Sequence, residues 1–156
     1  MFARLERFLR AVLLGGIVFG PILRYAAGVV EFGCGLVSSF AITTYAWDTL
    51  AEGAVIGLVS AALDTALPNR RWTVAWVTGG AVALRWILYY VFQAVNTGLT
   101  FDHFVHCAFY VVCHSAAGVL TGYFTVRVAD TWTAVNNERK AAEAQRSHIH
   151  QERYEI

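Results

Sequence analysis

Between Phe8 and Val126 the chain alternates long apolar runs with short polar breaks. The runs cover residues 8–30, 36–63, 73–96 and 103–126. At about 1.5 Å per helical residue, each reaches across a hydrocarbon layer of roughly 30 Å. The second run is longer than that thickness needs, so it is expected to tilt or protrude. The breaks read "EFGCG", "DTALPNRRW" and "TGLTFD", with Gly and Pro where helices end. This pattern predicts an all-α integral membrane protein. Residues 1–130 are expected to form a four-transmembrane-helix bundle, followed by a polar tail over 131–156. The tail combines good helix formers and charges of both signs with a poor apolar stripe. A helix on the inner face and a disordered segment both fit it.

Every predicted span carries small residues four apart. They are Gly16 and Gly20, Gly53 and Gly57, the series Ala75, Gly79 and Ala83, and Gly118 and Gly122. Lipid tails are as apolar as leucine, so helices in a bilayer associate through close backbone approach, dispersion and weak hydrogen bonds. A compact bundle is expected, with the large side chains left for lipid or partner chains. Pro21 removes a backbone hydrogen bond inside span one and is expected to kink it.

The basic residues test the four-span reading independently. Of twelve Lys and Arg, Arg24 and Arg85 lie deep inside spans. Arg4, Arg7 and Arg10 stand before or at the very start of span one, Arg70 and Arg71 separate spans two and three, and Arg127, Arg139, Lys140, Arg146 and Arg153 follow span four. With four crossings these ten fall on one side, which places both termini on the cytoplasmic or matrix side. Trp72, Trp76 and Trp132 fit an inner aromatic belt, and Tyr89, Tyr90 and Tyr110 lie toward the outer one. The start, "MFARLERFLRAVLLGG", has the Arg spacing of an import segment and the apolar continuation of a signal peptide. It is expected to be retained as an interfacial segment entering span one.

Composition narrows the function classes. The chain is 57% hydrophobic and 15% charged, against about half and a quarter in soluble domains. A net charge of +1 without a basic, aromatic-interleaved stripe argues against a general nucleic-acid binder. Cys34, Cys107 and Cys113 lack metal-ligand spacing and do not make a disulfide framework. No phosphate-binding glycine loop, nucleophile elbow or H-E-x-x-H is present, so nothing supports catalysis.

Inside the spans, Asp48 and Glu52 lie near the middle of the second, Arg85 near the middle of the third and His114 near the middle of the fourth. Arg24 lies in the outer half of the first. A charged group at the bilayer centre costs about 2.5–3.5 kcal/mol, so these groups are expected to be paired, neutralised or hydrated. Arg85 with Asp48 or Glu52 is the obvious pair. The other acid is then protonated, bound to His114, or matched by Arg24 or a second chain. This buried polar network reads either as a proton or ion path or as a knot that fixes helix register.

A second group, Asp102, His103, His106 and His114 in "DHFVHCAFYVVCH", raises a haem or metal site. His106 and His114 are eight residues apart, about 12 Å along a helix, so they cannot share one iron. A haem b would need a ligand from another chain. His103 and His106 beside Asp102 could clip a metal at the outer rim, but further ligands and a fixed second shell are wanting. The plainer reading is interfacial and helix-contact histidines. His148 and His150 read as solvated tail residues.

Together these features point to a non-catalytic accessory subunit of a larger membrane complex, most naturally a respiratory or ATP-synthase-type assembly. Its expected partners are other membrane subunits and bound phospholipids, with no cofactor. The Arg-rich start favours the mitochondrial inner membrane, and a bacterial plasma membrane fits the same topology. Two alternatives stand beside this one. The first is a membrane anchor that binds haem b or quinone with a partner chain. The second is a proton or ion conductor using Asp48, Glu52, Arg85 and His114.

Overall fold

The computed structural model describes residues 2–34, 46–67, 70–98 and 100–154, which are helical almost throughout and contain no strand. The first rod consists of α1 (Phe2–Val12), a wider π-helical stretch (Leu13–Phe19) and α2 (Gly20–Gly33). Then come α3 (Ala46–Ala66), α4 (Arg71–Thr97) and α5 (Phe101–Tyr154). Among the described residues four helices are long and apolar enough to cross a membrane: Arg4–Gly33, Trp47–Ala66, Arg71–Thr97 and Phe104–Ser147. The expected start of the second span, residues 36–45, lies outside the described residues. Where the polar tail was expected to begin, near residue 130, α5 continues without a break to Tyr154.

Pro21 shapes the first rod differently from a simple kink. A proline ring collides with the carbonyl four residues back, and its nitrogen has no hydrogen to donate. The chain meets this by widening: the Gly20 N–H donates to the Gly15 carbonyl, five residues back, and Pro21 then occupies the first turn of α2. Such π segments are rare and often short. Here the wider turn stacks residues five apart instead of four, which brings Gly15 and Gly20 onto one face.

That face meets α3. A Cβ placed on Gly53 or Gly57 would run into the backbone of Gly20 or Gly15 respectively. Gly16, the expected contact, shares the seam less tightly: a Cβ there would lie 3.4 Å from the Leu58 side chain and 3.7 Å from the Ala54 carbonyl oxygen, while the π turn brings Gly15 closest to Gly57. The second seam joins α4 to α5. A Cβ on Gly122 would lie 2.8 Å from Ala75 Cα, and one on Gly118 would lie 3.1 Å from Gly79 Cα. Ala83 is half-buried beyond the end of this seam. In both seams the numbering rises on one helix as it falls on the other, so the rods form two antiparallel hairpins. The hairpins join through α5, which packs on every other helix.

The interior is built from small residues, such as Ala11, Ala61, Ala75, Ala117 and Ala129, and from hydroxyl and charged groups. Large apolar side chains point outward: Trp47, Phe92, Val95, Phe101 and Val112 are each more than 60% exposed. A water-soluble fold places such groups inside, and this bundle does the reverse.

Candidate functional site

The polar network forms where the two hairpins meet, and α2 contributes more of it than expected. Its buried residues are Gly20, Arg24, Ala27 and Glu31, spaced four, three and four apart. That is one stripe of an α-helix. Glu31 belongs to it because α2 runs on to Gly33 before Cys34 closes it on the Val30 carbonyl. In the sequence Glu31 stands in the "EFGCG" break, outside every expected site. The four-three-four spacing after Gly20 is the signal that could have found it.

Glu52, on α3, lies between two arginines. Arg24 Nε donates to Glu52 Oε2 at 2.9 Å, and Arg24 Nη2 is also 2.9 Å from that oxygen. Arg85 Nη1, from α4, forms an ion pair with Glu52 Oε1. The Arg24 side chain is 8% exposed and that of Arg85 60%. The network therefore has a closed end at Arg24 and an open end at Arg85.

His114, fully buried on α5, faces Glu31 with Nε2 2.5 Å from Oε1, although the ring N–H is not aligned on that oxygen for a hydrogen bond. One face of the imidazole stacks on Trp86, with centroids 5.0 Å apart, and Tyr110 lies against it at 5.1 Å. Arg24 and Arg85 also lie near the Trp86 ring, with guanidinium carbons 5.6 and 5.4 Å from its centroid. The indole thus separates two cations and an imidazole, and cation–π attraction adds to the ion pairs. Two arginines and two glutamates balance with His114 neutral. Trp86 Nε1 and His114 Nδ1 are buried without a hydrogen-bond partner among the described residues.

Asp48 does not join this network. It is exposed and without an ion pair among the described residues, while Glu52, one turn further along α3, meets the arginines. The acid expected from Asp48 is supplied by Glu31.

The histidine near the start of α5 is not brought together with His114. His106 Nδ1 is 2.8 Å from the Asp102 carbonyl oxygen of its own helix, and Asp102 is exposed. The side chains of His103, His148 and His150 lie outside the described residues. No group of three His, Cys, Asp or Glu among the described residues is placed to hold a metal ion.

Two further polar features were not expected. Below the network Ser60, Thr78, Thr121 and Thr125 are buried, and the Ser60 and Thr78 hydroxyls are 3.2 Å apart. Beyond them Arg7 donates from Nε and Nη2 to the two oxygens of fully buried Asp64, at 2.9 and 2.8 Å, and Nη2 also lies 2.8 Å from Asp130. Arg10 pairs with Glu6 and lies 5.3 Å from the Trp132 ring. Arg7 thereby joins α1, α3 and α5. Asp64 opens a break in the hydropathy pattern, yet it extends the Gly53, Gly57, Ser60 stripe by one turn.

An apolar groove of about 480 Å³ lies between α3 and α4, with Glu52 and Arg85 at one end and Val59 and Thr78 at the other. No family model matches this chain, and no characterised protein or solved structure matches it.

Proposed function

We propose that this protein is a small non-catalytic subunit of a larger membrane complex. It would cross the membrane four times, keep both ends on the inner side, and carry an arm for a neighbouring chain. The observation behind this reading is the length of α5. From Arg127 to Tyr154 the helix continues for about 40 Å at 1.5 Å per residue. From Asn137 through Ser147 its side chains are all exposed. A polar helix projecting alone is marginal unless it bridges to something else. The large apolar side chains around the bundle fit lipid and neighbouring spans. An energy-transducing membrane is the setting we favour, on the Arg-rich start of the chain.

Purification in mild detergent tests this directly. The full chain is expected to bring defined membrane partners with it, and a chain lacking residues 137–156 is expected to lose them while remaining helical. A stable, monodisperse monomer with nothing attached would end the subunit reading.

The buried polar column from Glu31 and His114 through Glu52 to the hydroxyls and Asp64 favours a second reading, a proton or ion path. Reconstituted vesicles would show a flux that falls at least tenfold in Glu52→Gln and is unaffected by Asp48→Asn. Flux equal in all variants would remove it.

A further inference from the structure

The open end of the network leads to a binding site. Arg85 is more than half exposed, yet it stands at the middle of an apolar helix. Its Nη1 is held by Glu52, and Nε and Nη2 have no hydrogen bond to another described residue. The groove below is lined by Ala51, Val55, Val59, Ala81 and Val82, with Thr78 at its far end, so one end offers guanidinium N–H donors and the walls beyond it are mainly apolar. From Glu52 to Val59 it extends about 10 Å along α3. Its volume of about 480 Å³ lies within the usual range of small-molecule sites.

The charge balance decides what chemistry fits. Arg24 and Arg85 both pair with Glu52, and Glu31 stands in the same network against His114, so two glutamates already accompany the two arginines. An anionic headgroup would add an unmatched negative charge in an apolar setting, which is costly. A neutral carbonyl oxygen would satisfy the spare donors and leave the balance intact. We propose that the groove between α3 and α4 binds a neutral lipid-like molecule whose carbonyl oxygen accepts a hydrogen bond from Arg85 and whose apolar portion lies along Val55, Val59 and Val82. A quinone and an acylglycerol ester both carry this chemistry. The inference rests on the membrane setting proposed above, but it does not require a partner chain.

The test uses the full-length protein in nanodiscs of neutral phospholipid, with three probes: a decyl-substituted benzoquinone, a short-chain diacylglycerol and decanoate. Quenching of Trp86, isolated by comparison with Trp86→Phe, reads quinone binding, and competition reads the other two. Saturable binding of one or both neutral probes is expected, and which of them binds identifies the source. Arg85→Leu is expected to weaken binding at least tenfold. Ala81→Phe, which fills the groove away from the ion pairs, is expected to abolish it with helix content unchanged. Tighter binding of decanoate would overturn the charge argument. Absence of saturable binding, or binding indifferent to Ala81→Phe, would overturn the site. Crosslinking of position 81 to a co-purified helix that excludes the probes would assign the groove to a protein partner instead. Because binding is read on the chain alone, a failure here leaves the partner-dependent test of the arm untouched.

Discussion

Glu52 is the group on which the polar network depends, and replacing it by Gln tests that. The amide keeps the shape and removes the charge. Arg24, with its side chain only 8% exposed, then loses the carboxylate that both Nε and Nη2 contact. Removing one member of a buried ion pair costs about 3–5 kcal/mol, because the survivor is left charged and unmatched. Arg85 adds little, since an exposed pair is worth about 0–1 kcal/mol. Glu52→Gln should therefore destabilise by about 3 kcal/mol, and Arg85→Gln by about 1 kcal/mol or less. In Arg24→Leu with Glu52→Gln, the unmatched buried cation is gone. The double variant should be more stable than the sum of the singles predicts by about 2 kcal/mol. Equilibrium unfolding in mixed micelles, followed by circular dichroism during titration with an anionic detergent, reads these differences. Equal effects of Glu52→Gln and Arg85→Gln, or additivity in the double variant, would refute the idea that burial of Arg24 sets the cost.

The same titration checks three further expectations. Gly57→Leu must push its side chain against the Gly15 backbone and should cost about 3 kcal/mol or prevent folding, whereas Gly80→Ala, with nothing within 4 Å, should be neutral or slightly stabilising. Similar effects at the two sites would deny that the seam is a backbone contact. Arg7→Leu leaves Asp64 buried and should cost about 3 kcal/mol, several times more than Asp130→Asn, since Asp130 is 38% exposed. Thr125→Val replaces a buried hydroxyl that has no partner among the described residues and should be neutral or stabilising by about 1 kcal/mol. A loss above about 1 kcal/mol there would reveal a hydrogen bond to water or to another chain.

The helical architecture was legible because hydrophobic length is a coarse property that survives errors at the edges. Seams were legible in part: Gly20, Gly53, Gly57, Gly79, Gly118 and Gly122 all meet a neighbouring helix closely, and Gly15 makes a tighter contact than Gly16 beside it. No four-residue spacing reveals the part of Gly15, because it follows from a turn widened to admit Pro21. The network was legible where a charge stood far from any break, as at Arg24, Glu52 and Arg85. Reading failed at the edges of the apolar runs. Glu31 and Asp64 fall into breaks because a charge beside Gly, Cys or Pro ends a hydropathy window. A helix stops where its backbone hydrogen bonds stop, and in both cases that is later. Asp48 is the converse: its place inside a long apolar run makes it look buried, yet its side chain is exposed, and Glu52, one turn on, meets the arginines.

Exchanging Asp48 for Glu31 changes what the network requires of its surroundings. With Asp48 and Glu52 against Arg85, one carboxylate is left over and invites a second chain to neutralise it. With Glu31 and Glu52 against Arg24 and Arg85, the bundle carries its own counter-charges, and no outside ion is needed to balance its interior. The remaining demands are for hydrogen bonds, and they are unequal in reach. His114 Nδ1 and Trp86 Nε1 are buried, so only rearrangement of the bundle or an enclosed water can answer them. Arg85 can be answered from outside, because most of its side chain is exposed at the end of the groove between α3 and α4. Exposed apolar side chains occur around the bundle and single out no direction. The open donors of Arg85 do, and they select a neutral acceptor over an acid.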